Sequence, residues 1–569
     1  MSTAPQYFDF HFHPAFKQFI CQFEPAYPST RDVRSLLKPI DLKNPITDFL
    51  EEEFLHILES QACLEQLSAG KLMLGIANVA AIERMFAEKE GLFGKVLNSQ
   101  FLTKPVDQTY FSKIREGKIS YYQLFIRELN HYKRLRDGGQ ITILSRKNPG
   151  MLDAPGALTH VAMAMEGGHS LCRTLIGQPG KPDEMTVSGS PEDEPIAKDF
   201  QDHPVLSPAL SLEHLQTAMW AENMDLFSMV LTHLSHIPEQ LLATHAYGMK
   251  MLKDEAIFPI GDGLTNAGKQ VIDKAYSIQV GGADAPVLID IKHMGLKSRL
   301  DFYAHRRLKG HTLPIIASHM GVSGYSLDEW KGALEEAHIV RLKASNTPVV
   351  KITTSRRVAG DWGATNKTFT FNPWTINLLD EDIEEVLNSN GLIGISLDVR
   401  ILGWQNVLGK GEKEEFMSAE EFRFLFPEQF KKLSSEPMAA PESFLLPTKE
   451  ERHPLSLCFN LLHVVSAGRI RTDKDPWKHI TIGSDFDGLI NPLINCRDAS
   501  RMGNLENLLF RWLPVAEERY RRENGGGRLL KVTPQGEVDE DNLRRLIRDV
   551  LYENGKAFLT NWLKGSPGR

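Results

Sequence analysis

Within its first thirteen residues the chain reads Tyr7-Phe8-Asp9-Phe10-His11-Phe12-His13. In a β-strand successive side chains alternate between faces, which puts Phe8, Phe10 and Phe12 on one side and Asp9, His11 and His13 on the other. Two histidines two apart on a strand aim their rings at one volume. A divalent cation needs that arrangement, because imidazole nitrogen is a preferred donor for zinc and its neighbours. A surface strand with two solvated histidines would show the same pattern, so the remaining sequence decides between the two.

Metal-binding side chains recur at the ends of other apolar runs. Thr159 to Glu166 alternates small residues (Ala162, Ala164) with large ones (Val161, Met163, Met165) and ends in a carboxylate. Leu226 to His233, Val287 to His293 and Pro314 to His319 each end in histidine, and His479 to Asp485 ends in aspartate. With Lys71 to Val79 and Gly391 to Asp398, these runs make eight candidate strands separated mostly by helical patterns. That order predicts an α/β fold, a (β/α)8 TIM barrel, in which functional groups gather at the C-terminal ends of the strands. One histidine at a strand end is usually a hydrogen-bonded core residue. Four strands ending in histidine and two ending in carboxylates point to a metal centre.

The bulk properties agree. The chain has 569 residues, 42% hydrophobic and 24% charged, which allows two to four units or one large barrel with insertions. Its net charge of −8, with both signs interspersed, argues against a nucleic-acid partner. No run of about 18 apolar residues exists to cross a membrane, and no leader pattern precedes the first strand. Cys21, Cys63, Cys172, Cys458 and Cys496 are scattered and read as reduced thiols of a cytoplasmic protein. The chain reads as one barrel with large, mainly helical insertions at about 81–150, 177–204, 340–375 and 400–453. These insertions are either lids over the barrel mouth or the interface of a homo-oligomer. Leu50, Phe54, Ile57 and Leu58 mark a further helix after the first strand. Gly263 to Gln270 nearly matches a phosphate-binding loop, but Gln270 stands where a Ser or Thr must hold magnesium, so it reads as a turn opening a helix.

In the order of these motifs the chain resembles the amidohydrolase superfamily and, within it, the membrane-dipeptidase family of M19 peptidases. Met165-Glu166-Gly167-Gly168 resembles that family's Glu-Gly-Gly, Leu231-Thr232-His233 its Leu-Thr-His, and Ile289-Asp290-Ile291-Lys292-His293 its Asp-Leu-Ser-His. Gly483-Ser484-Asp485-Phe486-Asp487-Gly488 resembles its Gly-x-Asp-Phe-Asp-Gly. The resemblance implies two zinc ions per chain and a metal-bound hydroxide that cleaves a dipeptide or related amide. It implies that Glu166 bridges the ions, that His11, His13 and Asp485 hold one, and that His293 and His319 hold the other. His233 would bind the substrate or polarise its carbonyl, and Asp485 would also carry the proton from water to the leaving amine.

Three departures qualify it. His13 replaces an Asp, leaving the ligand set one negative charge short, which predicts either a more electrophilic ion pair or a weaker second site. Lys292 replaces a Ser, and strand alternation puts its side chain on the face opposite His293. The family's arginine for the substrate carboxylate has no counterpart before Asn377, so Arg356 or Arg357 stands as the substitute. Two rival readings remain: another amidohydrolase reaction, on a lactone, cyclic amide or phosphoester, and a non-catalytic metal-binding scaffold.

Overall fold

Short β-branched and aromatic runs, each followed by a helical pattern, form a parallel sheet that curls into a closed wall. The structure is a computed structural model and describes residues 6–17, 39, 60–88, 108–153, 158–183, 207–248, 254–361, 368–403, 414–436 and 453–565. The strands are β1 (Tyr7–Phe12), β2 (Leu72–Val79), β3 (Thr159–Met165), β4 (Leu226–Val230), β5 (Leu288–Asp290), β6 (Ile315–Met320), β7 (Leu392–Ile395) and β8 (Ile480–Ile482). They pair side by side in that order, all parallel. The sheet closes just beyond β8, where the Asp485 N–H donates to the His11 carbonyl at 2.8 Å and the His13 N–H to the Phe486 carbonyl at 2.9 Å. This is the (β/α)8 barrel that the strand and helix pattern predicts.

Two apolar layers hold the wall. Inside, Phe8, Phe10, Leu74, Ile76, Ala162, Ala164 and Phe227 pack with Phe558, Leu559 and Trp562 of the last helix, Asn554–Leu563. That helix plugs the end of the barrel away from the site. Gly555 allows the approach, since a Cβ there would lie 2.1 Å from the Phe8 ring. Outside, Met163, Met165, Ile480 and Ile482 pack against the helical layer. The small-in, large-out alternation of β3 is therefore as expected.

Strand β1 departs from simple alternation. Its register against β2 runs Asp9↔Gly75 and then Phe12↔Ala77, so three steps on one strand oppose two on the other. Such a bulge reverses the facing of the residues beyond it. Phe8 and Phe10 accordingly face the barrel interior, whereas Phe12 joins the outer layer with Val79 and Met163. The three phenylalanines do not share a face. The His11 N–H, released from the ladder, donates to Asp9 Oδ1 at 3.2 Å, and the same oxygen accepts from the Ser484 N–H at 2.8 Å. The bulge is what lets a strand with a phenylalanine-lined interior present both histidines at the mouth.

Between β2 and β3 the described insertion is largely helical, with Arg84–Ala87, Gln108–Arg115 and Tyr121–Asp137. After β6 it is not. Leu334–Arg341 and Pro348–Thr354 pair with Glu414–Ser418 and Ser435–Glu436 in a four-stranded sheet, beside a hairpin of Val358–Asp361 and Thr368–Thr370. The reason lies in Val349-Val350-Lys351-Ile352-Thr353-Thr354, a β-branched run whose Val350 and Ile352 bury against Trp330 and Phe422. The turn at Gly263 opens the helix Asn266–Ser277, with the Thr265 hydroxyl accepting from the Gly268 N–H at 3.0 Å. The helix expected around Leu50 to Leu58 and the loop at 184–204 lie outside the described residues. Among those described, no helix is long and apolar enough to cross a membrane.

The added sheet buries two carboxyl groups. Glu415 accepts from the Thr375 N–H at 2.7 Å, Glu421 accepts from the Lys297 N–H at 3.1 Å, and burial pushes them up to about 8 and about 7. An unfolded Glu titrates near about 4.3, so above that pH the unfolded chain releases protons that the folded one keeps. Stability from this pair is therefore greatest in mild acid and falls as pH rises, by about 1.4 kcal/mol per pH unit for each group, until the folded pKa is passed. The expected result is a wild-type denaturation midpoint that declines between about pH 5 and pH 8, with a shallower decline in Glu415→Gln. Parallel profiles for the two proteins would refute it.

Candidate metal centre

The C-terminal mouth of the barrel brings together the six expected ligands and, beside them, His233. Glu166 ends β3 at the centre of a ring of imidazoles. Its Oε1 lies 3.1 Å from His293 Nε2, 3.3 Å from His11 Nε2, 3.5 Å from His319 Nε2 and 3.6 Å from His233 Nε2, and its Oε2 is 3.0 Å from His13 Nε2. Asp485 Oδ1 lies 3.6 Å from His13 Nε2 and 3.8 Å from His11 Nε2. Five Nε2 atoms thus converge on one carboxylate, and two of them, on His11 and His13, are 3.1 Å apart.

Local backbone geometry aims these side chains. His293 and Asp485 both have φ of 64°, a left-handed conformation that costs a non-glycine residue of order 1–3 kcal/mol and persists where the surroundings impose it. At His293 that conformation breaks the alternation expected beyond Asp290, the last residue of β5. Lys292 and His293 consequently line the same cleft, which corrects the expectation that they point to opposite faces.

The rear nitrogens of three rings are held. The Ser318 hydroxyl bonds His11 Nδ1 at 3.1 Å and His319 Nδ1 at 2.8 Å, and Glu83 Oε1 lies 2.9 Å from His233 Nδ1. Metal-binding histidines are oriented in this way, with Nε2 left to face the ion. His319 Nε2 is buried with no hydrogen-bond partner, and burial holds His293 and His319 well below the usual imidazole range, in the neutral form that offers a lone pair. His13 differs: burial pulls it down, but Glu166 and Asp485 outweigh that and push it up to about 10. The donor atoms fall into three groups: His11, Glu166 and His319; His11, His13 and Asp485; and Glu166, His233 and His293. Four buried imidazoles and two carboxylates, with His233 beside them, make a donor set that fits divalent cations.

Glu83 carries no periodic signal in the sequence, and the motif reading missed it. It follows β2 and is buried. Burial raises its carboxyl, yet His233 and His169 outweigh that and hold it down at about 2. As a lasting anion it fixes the His233 ring. Asp487 accepts from the Gln61 and Ala62 N–H groups, both at 2.9 Å, and pairs with Lys17 Nζ at 2.8 Å, so its carboxylate is spent on structure. Arg357 is tied elsewhere, to Asn524 Oδ1 at 3.0 Å and the Gly324 carbonyl at 2.8 Å, and neither it nor Arg356 lines the cleft. Arg400 does line it.

A cleft lies above the donors. Phe16, Ile82, Phe86, Leu234 and Leu489 form an apolar wall, and Lys292, Asp398 and Arg400 a charged one. A cleft at a barrel mouth, with convergent polar groups in its floor, is where such a fold binds its ligand.

Fold and site together define a (β/α)8 barrel with a buried carboxylate–imidazole centre at its C-terminal mouth. No family model and no curated protein matches the sequence. Among solved structures, the chain is similar to a dipeptidase described as a metallo peptidase of family M19, at 13% identity and a TM-score of 0.43 over 100% of both chains. It is similar also to a metallo peptidase from Rhodobacter sphaeroides liganded with a phosphinate mimic of the dipeptide L-Ala-D-Ala, at 14% identity and a TM-score of 0.40, covering 99% of this chain and 100% of that one. A third is the probable dipeptidase PvdM from Pseudomonas aeruginosa, at 12% identity and a TM-score of 0.43 over 99% and 96% of the two chains. At these values nothing about substrate passes to this chain.

Proposed function

We propose that the protein is a metal-dependent hydrolase of the amidohydrolase type that cleaves a dipeptide or related amide. The observation that carries this reading is Glu166, one buried carboxylate within 3.6 Å of the Nε2 atoms of five histidines. In it, His11, His13, Glu166, His293, His319 and Asp485 would hold divalent metal, zinc being the expected ion and two per chain the expected number. Bound ions lower the pKa of coordinated water from 15.7 to about 7 and polarise a carbonyl oxygen.

The chain's own groups do the rest. Asp485 is the most open of the carboxylates, with 15% of its side chain exposed against 3% for Glu166, so it can meet water from the cleft. Its carboxylate takes a proton from the attacking water and returns it to the leaving nitrogen. His233 is 14% exposed. Burial lowers its pKa, but Glu166 and Glu83 outweigh that and favour the imidazolium. With Nδ1–H donated to Glu83, its Nε2–H is left to hydrogen-bond the oxyanion that forms on the substrate. The apolar wall excludes water from the bond being broken.

A second reading is another amidohydrolase reaction, on a lactone, cyclic amide or phosphoester. It is favoured by one observation: neither arginine nominated for a dipeptide carboxylate lines the cleft. The test is a panel of dipeptides, N-acyl amino acids and lactones, assayed after chelation and after zinc is restored. Zinc-dependent amide cleavage is expected. Cleavage of lactones alone would favour the second reading, and no turnover of any member would favour a scaffold.

A further inference from the structure

The cleft contains a buried cation that nothing among the described residues pairs. Lys292 is 2% exposed and lines the cleft beside Glu166, His293 and Asp485. Its backbone N–H donates to Asp290 Oδ1 at 3.0 Å, but among the described residues its ammonium makes no hydrogen bond and no ion pair. Other cations around the site are satisfied. Arg400 donates from Nε to both oxygens of Asp398 at 3.0 Å, and from Nη2 to Asp398 Oδ2 at 2.6 Å and the Leu489 carbonyl at 3.0 Å. Lys17 is paired with Asp487, and Arg357 with Asn524 and Gly324.

An ammonium taken out of water without a partner is costly, and proteins keep such groups chiefly where a ligand completes them. Burial lowers the pKa of Lys292, and the carboxylates that oppose this and favour its charged form are those of Asp485, Glu166, Asp398 and Asp290. Asp485 and Glu166 belong to the donor set, and Asp398 is held by Arg400. Asp290 accepts from the N–H groups of Lys292 and Ser318. Among the described residues none of them is recorded in an ion pair with the ammonium.

We propose that Lys292 is the anion-binding residue of the cleft and that the substrate carries a carboxylate beside the bond to be cleaved, held by this ammonium. The proposal rests on the hydrolase reading for the bond, but not for the anion site. Its placement comes from the chain: Lys292 directly precedes His293, and both side chains face the same cleft, so an anion on Lys292 lies next to the donor centre. A lysine offers three rotatable donors on a point charge, without the planar fork of an arginine. It selects for charge more than for the shape of the acid.

The experiment compares binding of N-acetylalanine and N-acetylalaninamide, which differ in the charge at one end, by titration calorimetry on metal-free and zinc-loaded protein. The wild type is expected to bind the acid about 10–100-fold more tightly than the amide, the range of a charge-assisted contact. Lys292→Met and Lys292→Gln are expected to reduce that ratio below about threefold in both metal states. Both variants remove an unpaired buried charge, so both should fold, with thermal midpoints at or above that of the wild type. Arg400→Met is expected to keep the preference. A wild type that binds both compounds alike, a preference that survives in the Lys292 variants, or one lost in Arg400→Met alone would each overturn the proposal. Binding is read without turnover. If the preference tracks Lys292 while no amide is hydrolysed, the anion site stands and the hydrolase reading falls.

Discussion

Glu166→Gln is expected to fold and to lose both metal and activity. The substitution keeps the shape of the side chain and removes its charge. Five imidazoles then face an amide that offers one weak oxygen where the carboxylate had offered two anionic ones. Because the proposed donor set converges on this residue, its loss affects metal binding as a whole. The fall in turnover should exceed the 10–100-fold typical of an outer-shell partner and reach about 10³-fold or more. Metal analysis separates this from a folding defect: wild type with up to two ions per chain, variant with less than one. Zinc should also raise the thermal midpoint of the wild type, since an ion that binds only the folded state stabilises it, and should leave the variant nearly unmoved. Full metal content in the variant would remove Glu166 from the centre of the reading.

The positions in this site that could be read from the sequence are those governed by strand geometry. Ala162, Ala164 and Glu166 alternate with Val161, Met163 and Met165 because a crowded barrel interior admits small side chains while the outer layer needs large ones. His319 and Asp485 likewise end apolar runs. What the pattern could not carry was any break in alternation. One bulged residue between Asp9 and Phe12 separated Phe12 from Phe8 and Phe10, and one left-handed residue, His293, brought Lys292 round to the cleft. Neither break has a glycine or proline to announce it. Glu83 was hidden for another reason. It lies in a connection after β2, where no period marks a residue, and only the fold brings it 150 positions along the chain to His233. The sheet after β6 was legible in its β-branched run, but a helix-rich chain made a helical insertion the easier expectation.

Asp485→Asn should separate proton transfer from metal binding. The exchange is nearly isosteric, and the position has φ of 64°, which asparagine adopts more readily than most residues, so backbone strain does not confound it. Asp485 stands at the edge of the donor set, 3.6 and 3.8 Å from His13 and His11 Nε2, whereas Glu166 is 3.0 Å from the first and 3.3 Å from the second. Metal content and thermal midpoint should therefore fall less than in Glu166→Gln, because Glu166 and the imidazoles remain, while kcat falls about 10²–10⁴-fold, the range for loss of a general base and acid. The pH profile supplies the sharper readout. Burial raises the Asp485 carboxyl above its ordinary range, although His13 and His11 oppose it. A base must be ionised to act and bound cations favour the ionised form, so wild-type kcat should climb with pH as Asp485 ionises in the metal-loaded enzyme and then level. An amide has no such ionisation, and the climb should be missing from the variant's residual activity. A variant that keeps its climb, or whose kcat stays within about threefold of wild type, would take the proton-carrying role away from Asp485 and leave His233 as the group that meets the substrate.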